Sequence, residues 1–304
     1  MTYQKMSCAA IHDLSGVGKC SLTVALPILS ACGVETAVMP TAVLSTHTGG
    51  FTGYTYRDLT DDMLPMARHW EKEGCSFDAV YSGFLGSPQQ IGIVAEIFAM
   101  FREKGAFVAV DPVMGDAGKL YATYTKEMAD GMGTLCRSAD LVMPNFTEAC
   151  HILGMPYREG PYEETYVREI LERLCAMGPK MAVLTGVWKE EESLGAACLE
   201  AATGEVTWCM APRVSGAYHG TGDVFGSTLV AGLLNGMALP QACQLAVDYT
   251  QRVIVTTHQV GGDLRMGPKF ECHLPWLCQR MADFRAEKNN IFNRYRGLDH
   301  GGNH

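Results

Sequence analysis

The sequence predicts an α/β protein: a three-layer α-β-α sandwich on a mostly parallel central sheet. Three observations carry this. Short apolar runs rich in small and β-branched residues alternate with longer amphipathic runs from residue 6 to residue 259, which is the signature of repeated strand–helix units and of a sheet covered on both faces. Hydrophobic residues make up 47% and charged residues 19% of the chain, enough to fill a globular core. The 304 residues suit one large α/β domain or two small ones. No linker and no repeat interrupts the pattern, so one domain over residues 1–284 is expected, followed by a polar, loosely held tail over 285–304.

The elements follow in order. "MSCAAIHD" (6–13) reads as a first strand, and "KCSLTVALPILSACG" (19–33) as a helix closed by Gly33. "VETAVMP" (34–40) is a second strand. "TDDMLPMARHWEKEG" (60–74) is a helix with an acidic first turn and a glycine stop. "FDAVYSG" (77–83) is a strand. In "SPQQIGIVAEIFAMFREKG" (87–105), Ser87 caps, Pro88 opens and Gly105 ends a helix. "AFVAVDPVM" (106–114) and "ADLVMPN" (139–145) are strands ending near Asp111 and Asn145. "YEETYVREILERLCAMG" (162–178) is a helix and "KMAVLTG" (180–186) a strand. "SLGAACLE" and "GEVTWCMAP" form a hairpin about Thr203 and Gly204, and helices cover 220–236 and 239–259. In such a sheet ligands bind outside the carboxyl ends of the strands. Asp13, Asp111, Asn145 and Thr185 stand at those ends.

A net charge of −9 argues against nucleic acid or an anionic membrane as partner. An anionic nucleotide is still admissible, because loop amides and metal ions can build a local site. The 12 cysteines are scattered without a C-x-x-C pair, and they read as free thiols in a reducing cytoplasm. The chain start, "MTYQKMSCAAIHD", has one lysine and too short an apolar run for a signal peptide. No stretch is long enough to cross a bilayer. Of the 9 histidines only His300 and His304, in the polar tail, have H-x-x-x-H spacing, and no zinc site is expected.

"HDLSGVGKCSL" (12–22) invites comparison with a phosphate-binding P-loop. Gly18 and Lys19 fit G-x-x-x-x-G-K-[ST], but Asp13 stands at the first glycine and Cys20 at the hydroxyl. A thiol is a poor ligand for a hard cation, and a carboxylate there would face phosphates. The segment is not read as a phosphate loop.

"HGTGDVFGS" (219–227) is the strongest signal. Gly220, Thr221 and Gly222 precede a helix whose first turn holds Asp223. Amides at a helix N-terminus make an anion site. A carboxylate beside them suits phosphoryl transfer to an alcohol, accepting the alcohol's proton while the amides stabilise charge. A helix-dipole role for Asp223 explains the aspartate but not the paired glycines. In "DPVMGD" (111–116), Asp111 and Asp116 would suit Mg²⁺ held through waters and phosphate, or form an ordinary polar turn. In "MPNFTEA" (143–149), Asn145 and Glu148 have the spacing of a capping box and of a metal-water pair.

Together these segments resemble the ribokinase-like superfamily, and within it the vitamin B6 kinases. "STHTGG" (45–50) is similar to S-N-H-T-G-Y, "YSGFLGS" (81–87) to T/S-G-Y-L-G-S, and "DPVMGDAGKLY" (111–121) to D-P-V-M-G-D-x-G-x-x-Y. "PNFTEA" and "HGTGDVF" match P-N-x-x-E and G-T/V-G-D. The resemblance spans residues 6–260. It implies ATP-dependent phosphorylation of the 5′-hydroxymethyl group of pyridoxal, pyridoxamine or pyridoxine, with Asp223 as base and Gly220, Thr221 and Gly222 as anion hole. It places Asp111, Asp116, Asn145 and Glu148 about Mg²⁺ and the ATP phosphates, with Asp111, Asp116 and Glu148 as the metal set. Tyr121 and Thr185 would lie beside the phosphates, and Asp13, Ser45, Thr48 and Phe84 would face the pyridine. Asp13 would then accept from a ring hydroxyl or pyridinium N–H, and Lys19 would reach solvent from a helix start. Members of this family pair as homodimers, and several use K⁺ besides Mg²⁺. Two alternatives stand beside this reading. Hydroxymethylpyrimidine kinases of thiamine synthesis carry D-x-S-G-G-A-G, close to "DLSGVGK", although they end the anion hole in G-T-G-C. The other is a non-catalytic pyridoxal phosphate binder.

Overall fold

The structure, a computed structural model, describes residues 6–121, 124–216 and 218–298. One sheet has the strand order β11-β10-β9-β8-β5-β4-β1-β2-β3. Its central strands β1 (Met6–Val17), β2 (Val34–Thr46), β4 (Ala79–Ser82), β5 (Phe107–Val110), β8 (Leu141–Val142) and β9 (Met181–Val187) are parallel. Antiparallel strands finish both edges: β3 (Tyr56–Asp58) at one, β10 (Ser193–Glu200) and β11 (Val206–Pro212) at the other.

The apolar side chains of each strand part to two faces, because successive residues of a strand point oppositely. Ala9, Ile11, Val80, Val108, Val110, Leu184 and Leu199 meet the layer of α2 (Thr60–Lys72), α3 (Pro88–Arg102), α4 (Lys126–Arg137), α5 (Phe146–Leu153) and α6 (Glu164–Ala176). Cys8, Ala10, Tyr81, Ala109, Leu141, Val183 and Cys198 meet α1 (Leu22–Ala31), α7 (Thr221–Leu234), α8 (Leu239–Val260) and α9 (Leu274–Leu298). Strands buried on both faces read as the near-continuous apolar runs seen in the sequence. Phe98 and Phe101 of α3 are wholly buried; truncating Phe101 to Ala would cost about 3–5 kcal/mol.

Chain order reverses at β1. The chain leaves it for β2 on one side, and returns to β4 on the other. The connecting helices α1 and α2 lie on opposite faces, which leaves a crevice at the strand ends.

Local differences from the sequence reading matter for the site. β1 does not stop at Asp13; it runs to Val17 and pairs with β2 beyond the body of the sheet, after a register shift between His12 and Leu14. The turn therefore lies at 18–21, and α1 starts at Leu22 rather than Lys19. Lys19 does not reach solvent freely: its ammonium pairs with Glu271 at 2.6 Å and lies 5.6 Å from the Phe270 ring centroid. The expected strand 139–145 is reduced to Leu141–Val142 plus a bridge from Asn145 to Thr185. Elements that go unsignalled include β3, α4, α9 and the hairpin of β6 (Gly115–Asp116) with β7 (Lys119–Leu120). Of the expected tail, 285–298 continue α9, and the Arg285 guanidinium donates to Asn235 Oδ1 (2.8 Å) and Cys32 O (2.6 Å). Residues 299–304 lie outside the described residues.

Candidate active site

A cavity of about 680 Å³ opens at the carboxyl ends of β1, β4, β5, β8 and β9. Asp13, Phe84, Asp111, Asn145, Glu148, Thr185 and Asp223 line it, together with Thr48, Tyr121, Gly220 and Gly222. These expected residues, spread over 210 positions of chain, are brought to one place by the parallel topology.

One wall is the start of α7. Its N-cap, Gly220, has φ 83° and ψ −1°, and no side chain caps the helix. Its left-handed backbone is one that glycine adopts without penalty. A Cβ there would lie 2.1 Å from Lys19 O, so the 18–21 turn and the start of α7 pack backbone to backbone. With no side-chain acceptor, the first N–H groups of α7 remain available to an anion. Thr221 contributes only main chain to this wall, since its hydroxyl turns away and donates to Tyr218 O at 2.9 Å.

Asp223 stands in the first turn of that helix. Burial, and then the negative charge of Asp13, push its carboxyl up to about 7, against the pull of the Ser21 N–H. A carboxylate poised there accepts a proton near neutral pH. Ser21 was not singled out in the sequence. It holds a non-glycine positive φ of 53°, a strained backbone state. Its hydroxyl donates to Asp13 Oδ1 at 2.5 Å, while Ser15 donates to Asp13 Oδ2 at 3.0 Å. Asp13 is 5% exposed, and burial raises its carboxyl despite these two donors.

Asp111 and Glu148 form the second acidic wall. Burial pushes both upward, and each feels a neighbouring carboxylate. Glu148 closes a capping box with Asn145: Glu148 Oε2 accepts the Asn145 N–H at 2.8 Å, and Asn145 Oδ1 accepts the Glu148 N–H at 3.0 Å. Glu148 Oε1 also accepts the Met114 N–H at 3.1 Å. Each carboxylate oxygen keeps a further lone pair, so the cap and a metal-bound water are compatible uses of one side chain. Asn145 Nδ2 donates to Gly115 O at 2.8 Å, tying this helix to the segment after Asp111.

Three expected residues, Thr221, Asp116 and Ser45, lie outside the lining. Asp116 is carried off by the β6–β7 hairpin, whose turn residues Ala117 and Gly118 both have positive φ. Its exposed carboxylate accepts the Ala117 N–H, and its negative charge acts on Glu148 through space, pushing that carboxyl up. Ser45 is exposed and accepts the Thr55 N–H at 2.9 Å, bracing the 45–54 loop. That loop supplies residues the expectation lacked, among them Phe51 and Tyr54, and its His47 lines the cavity too. His47 Nδ1 accepts from Gly49 N (3.0 Å), so Nε2 carries the proton donated to Arg265 O (2.6 Å).

No lysine or arginine lines the cavity among the described residues. Buried, clustered carboxylate oxygens with no cationic side chain beside them are a hard donor set that fits Mg²⁺. A polyphosphate could enter this acidic cavity only with its charge neutralised by a cation and by the amides of α7.

The comparisons follow this geometry. A family model described as phosphomethylpyrimidine kinase matches residues 26–268. A pyridoxal kinase PdxY of Actinobacillus succinogenes is 25% identical over 237 residues, covering 75% of this chain and 81% of its own. A Bacteroides thetaiotaomicron chain assigned as a phosphomethylpyrimidine kinase and crystallised with pyridoxal is 36% identical, with a TM-score of 0.86 over 90% of this chain and 96% of that one. A pyridoxal kinase of Lactobacillus plantarum is 31% identical, with a TM-score of 0.81 over 90% and 97%. The fold is the ribokinase-like α/β sandwich of these structures.

Proposed function

This chain belongs to the phosphomethylpyrimidine kinase family, and from that premise we propose that it transfers the γ-phosphoryl group of ATP to the 5′-hydroxymethyl group of a vitamin B6 vitamer, in salvage of pyridoxal phosphate. The observation that carries this is Asp223, raised to about 7 at the uncapped start of α7, in the same cavity as Phe84 and Asp13. The relatives named as pyridoxal kinases, and the pyridoxal-bound one, support the choice of ring.

Asp223 takes the proton of the acceptor alcohol, and the first N–H groups of α7 receive the charge that develops on the phosphoryl oxygens. Asp13, held by Ser15 and Ser21, accepts from a ring hydroxyl or N–H. Phe84 offers an aromatic face to the ring. Asp111 and Glu148 would hold Mg²⁺ through its waters; when bound, the ion neutralises phosphate charge. Thr185 and Tyr121 flank the phosphates, Thr48 closes over the acceptor, and Asp116 and Ser45 act from outside the lining. K⁺ as a second cation belongs to the same reading by family likeness.

A homodimer is also part of the proposal. Leu14 and Val43 are exposed on one face of the projecting β1–β2–β3 ribbon, and Val17 and Tyr56 on the other, and an exposed apolar ribbon of this kind suits a second copy. Replacing Leu14 and Val17 by Glu should shift the light-scattering mass from dimer to monomer; an unchanged mass removes this surface from the proposal. A cytoplasmic setting is supported by all 12 cysteines being free thiols. Among the described residues no helix is long and apolar enough to cross a membrane.

The family description and the "DLSGVGK" segment favour a second acceptor, hydroxymethylpyrimidine. The deciding assay is ADP release with Mg-ATP and pyridoxal, pyridoxamine, pyridoxine or hydroxymethylpyrimidine at equal concentration. Turnover with a B6 vitamer and little with the pyrimidine is expected. The reverse preference overturns the acceptor, and tight capture of pyridoxal phosphate without ADP release would make the chain a binder.

A further inference from the structure

Outside the cavity, three thiols converge beneath α8. The Sγ atoms of Cys198 (β10), Cys209 (β11) and Cys243 (α8) all lie within 4.8 Å of one another. The register explains how. Cys198 opposes Thr207 and Ala196 opposes Cys209, so the two strand cysteines are diagonal neighbours on the face that α8 covers. Cys243 descends on them from the second turn of α8. All three are at most 1% exposed, set among Val183, Met237, Leu239, Ala242 and Ala246. The Cys209 thiol donates to Pro240 O at 3.6 Å.

Three sulfur donors with a common centre form a trigonal soft site. Its surroundings decide which ion it would accept. Ligating thiols lose their protons, so three thiolates bring three negative charges. The three thiols are buried within an apolar core cluster, and net charge in such a place is costly. A monovalent ion would leave a dianion there and a divalent ion a monoanion. A trivalent thiophilic element leaves a neutral complex.

We propose that Cys198, Cys209 and Cys243 form a site for trivalent arsenic, or its heavier congener antimony. The step is ligand exchange without redox change: As(OH)₃ + 3 RSH → As(SR)₃ + 3 H₂O. Three As–O bonds break, three As–S bonds form, and each thiol proton leaves in water. Entry needs local opening of the sheet edge. β11 is the edge strand, and edge hairpins open at less than the global unfolding cost. The bound atom would then staple β10, β11 and α8 together.

The test incubates the full chain with sodium arsenite under a non-thiol reductant, with a parallel arm in zinc chloride. Intact mass under non-dissociating conditions should show one added arsenic and three lost hydrogens. Rapid alkylation on unfolding should then leave nine of the twelve cysteines modified, with the spared ones mapping by proteolysis to Cys198, Cys209 and Cys243. Cys243→Ser should abolish three-thiol protection, while Cys272→Ser, at an exposed thiol, should not. The mapping is done on the unaltered chain, so it stands even if the Cys243 variant folds poorly. No arsenic adduct, or spared cysteines elsewhere, overturns the site. Equal protection by zinc overturns the charge argument that selects a trivalent ion.

Discussion

If Asp223 accepts the alcohol's proton, turnover follows the fraction of its carboxyl that is ionised. Burial and the Asp13 charge place that carboxyl at about 7. A group with that pKa is about one-eleventh ionised at pH 6 and about ten-elevenths at pH 8, so kcat/KM for the acceptor should rise about tenfold across this window. Saturating Mg-ATP should be used throughout, to keep Asp111 and Glu148 ionised by the bound cation. Asp13→Asn removes one of the charges that raises Asp223, so the midpoint should move to lower pH even as acceptor affinity falls. The assay is coupled ADP release in constant-ionic-strength buffers, with stability checked at each pH. A flat profile from pH 6 to 8 would refute the base assignment, and so would an Asp13→Asn midpoint unchanged or raised.

Other outcomes follow from the same geometry. Asp223→Asn should lower kcat by about 10²–10⁴-fold with KM for ATP within a few-fold of the original, read by steady-state kinetics; parallel loss of ATP affinity would contradict a base role. Asp223 and Glu148 are both raised in the folded state, to about 7 and about 8, so the stability they contribute is complete below about pH 4 and is lost as pH rises through about 7 and 8. Thermal midpoints of the metal-free protein should therefore fall over that range, and Mg²⁺ should reduce the fall. Gly220→Ala places a Cβ 2.1 Å from Lys19 O at φ 83°; the left-handed backbone alone costs about 1–2 kcal/mol, and kcat should collapse because the amides move. Arg285→Ala leaves Asn235 Oδ1 without its donor and Cys32 O with only Asn235 Nδ2, and should cost about 1–3 kcal/mol in urea unfolding.

Much of this was legible because local chemistry and global fold agree. The Ser87 cap and Pro88 start of α3 appear as expected, with Ser87 Oγ accepting from Gln90 N. The Asn145–Glu148 spacing produced its capping box. Strand-end polar residues reached one cavity because parallel strands put all their carboxyl ends on one side. The failures have physical causes. α4 carries Gly131 and Gly133, poor helix formers that weaken its signal, and β3 is three exposed residues held only by pairing with β2. Asp116 follows Asp111 closely in sequence, but a two-residue turn sends it outward. Lys19 finds Glu271 across 252 positions, a contact no spacing announces. Ser21 was missed because nothing in a serine at a helix start reveals a positive φ. The three converging thiols share no motif; only the hairpin register and the placement of α8 unite them.

Ser21 has one further consequence. Its hydroxyl steadies the acid expected to read the acceptor ring, and its main-chain N–H faces the acid expected to deprotonate the acceptor. One strained residue thus belongs to both recognition and chemistry. When a ring engages Asp13 and the serine hydroxyl adjusts, the N–H on the same residue must adjust with it. The proton affinity of Asp223 is then a function of what occupies the acceptor pocket, and a poorly fitting alcohol would meet a base tuned for a different guest.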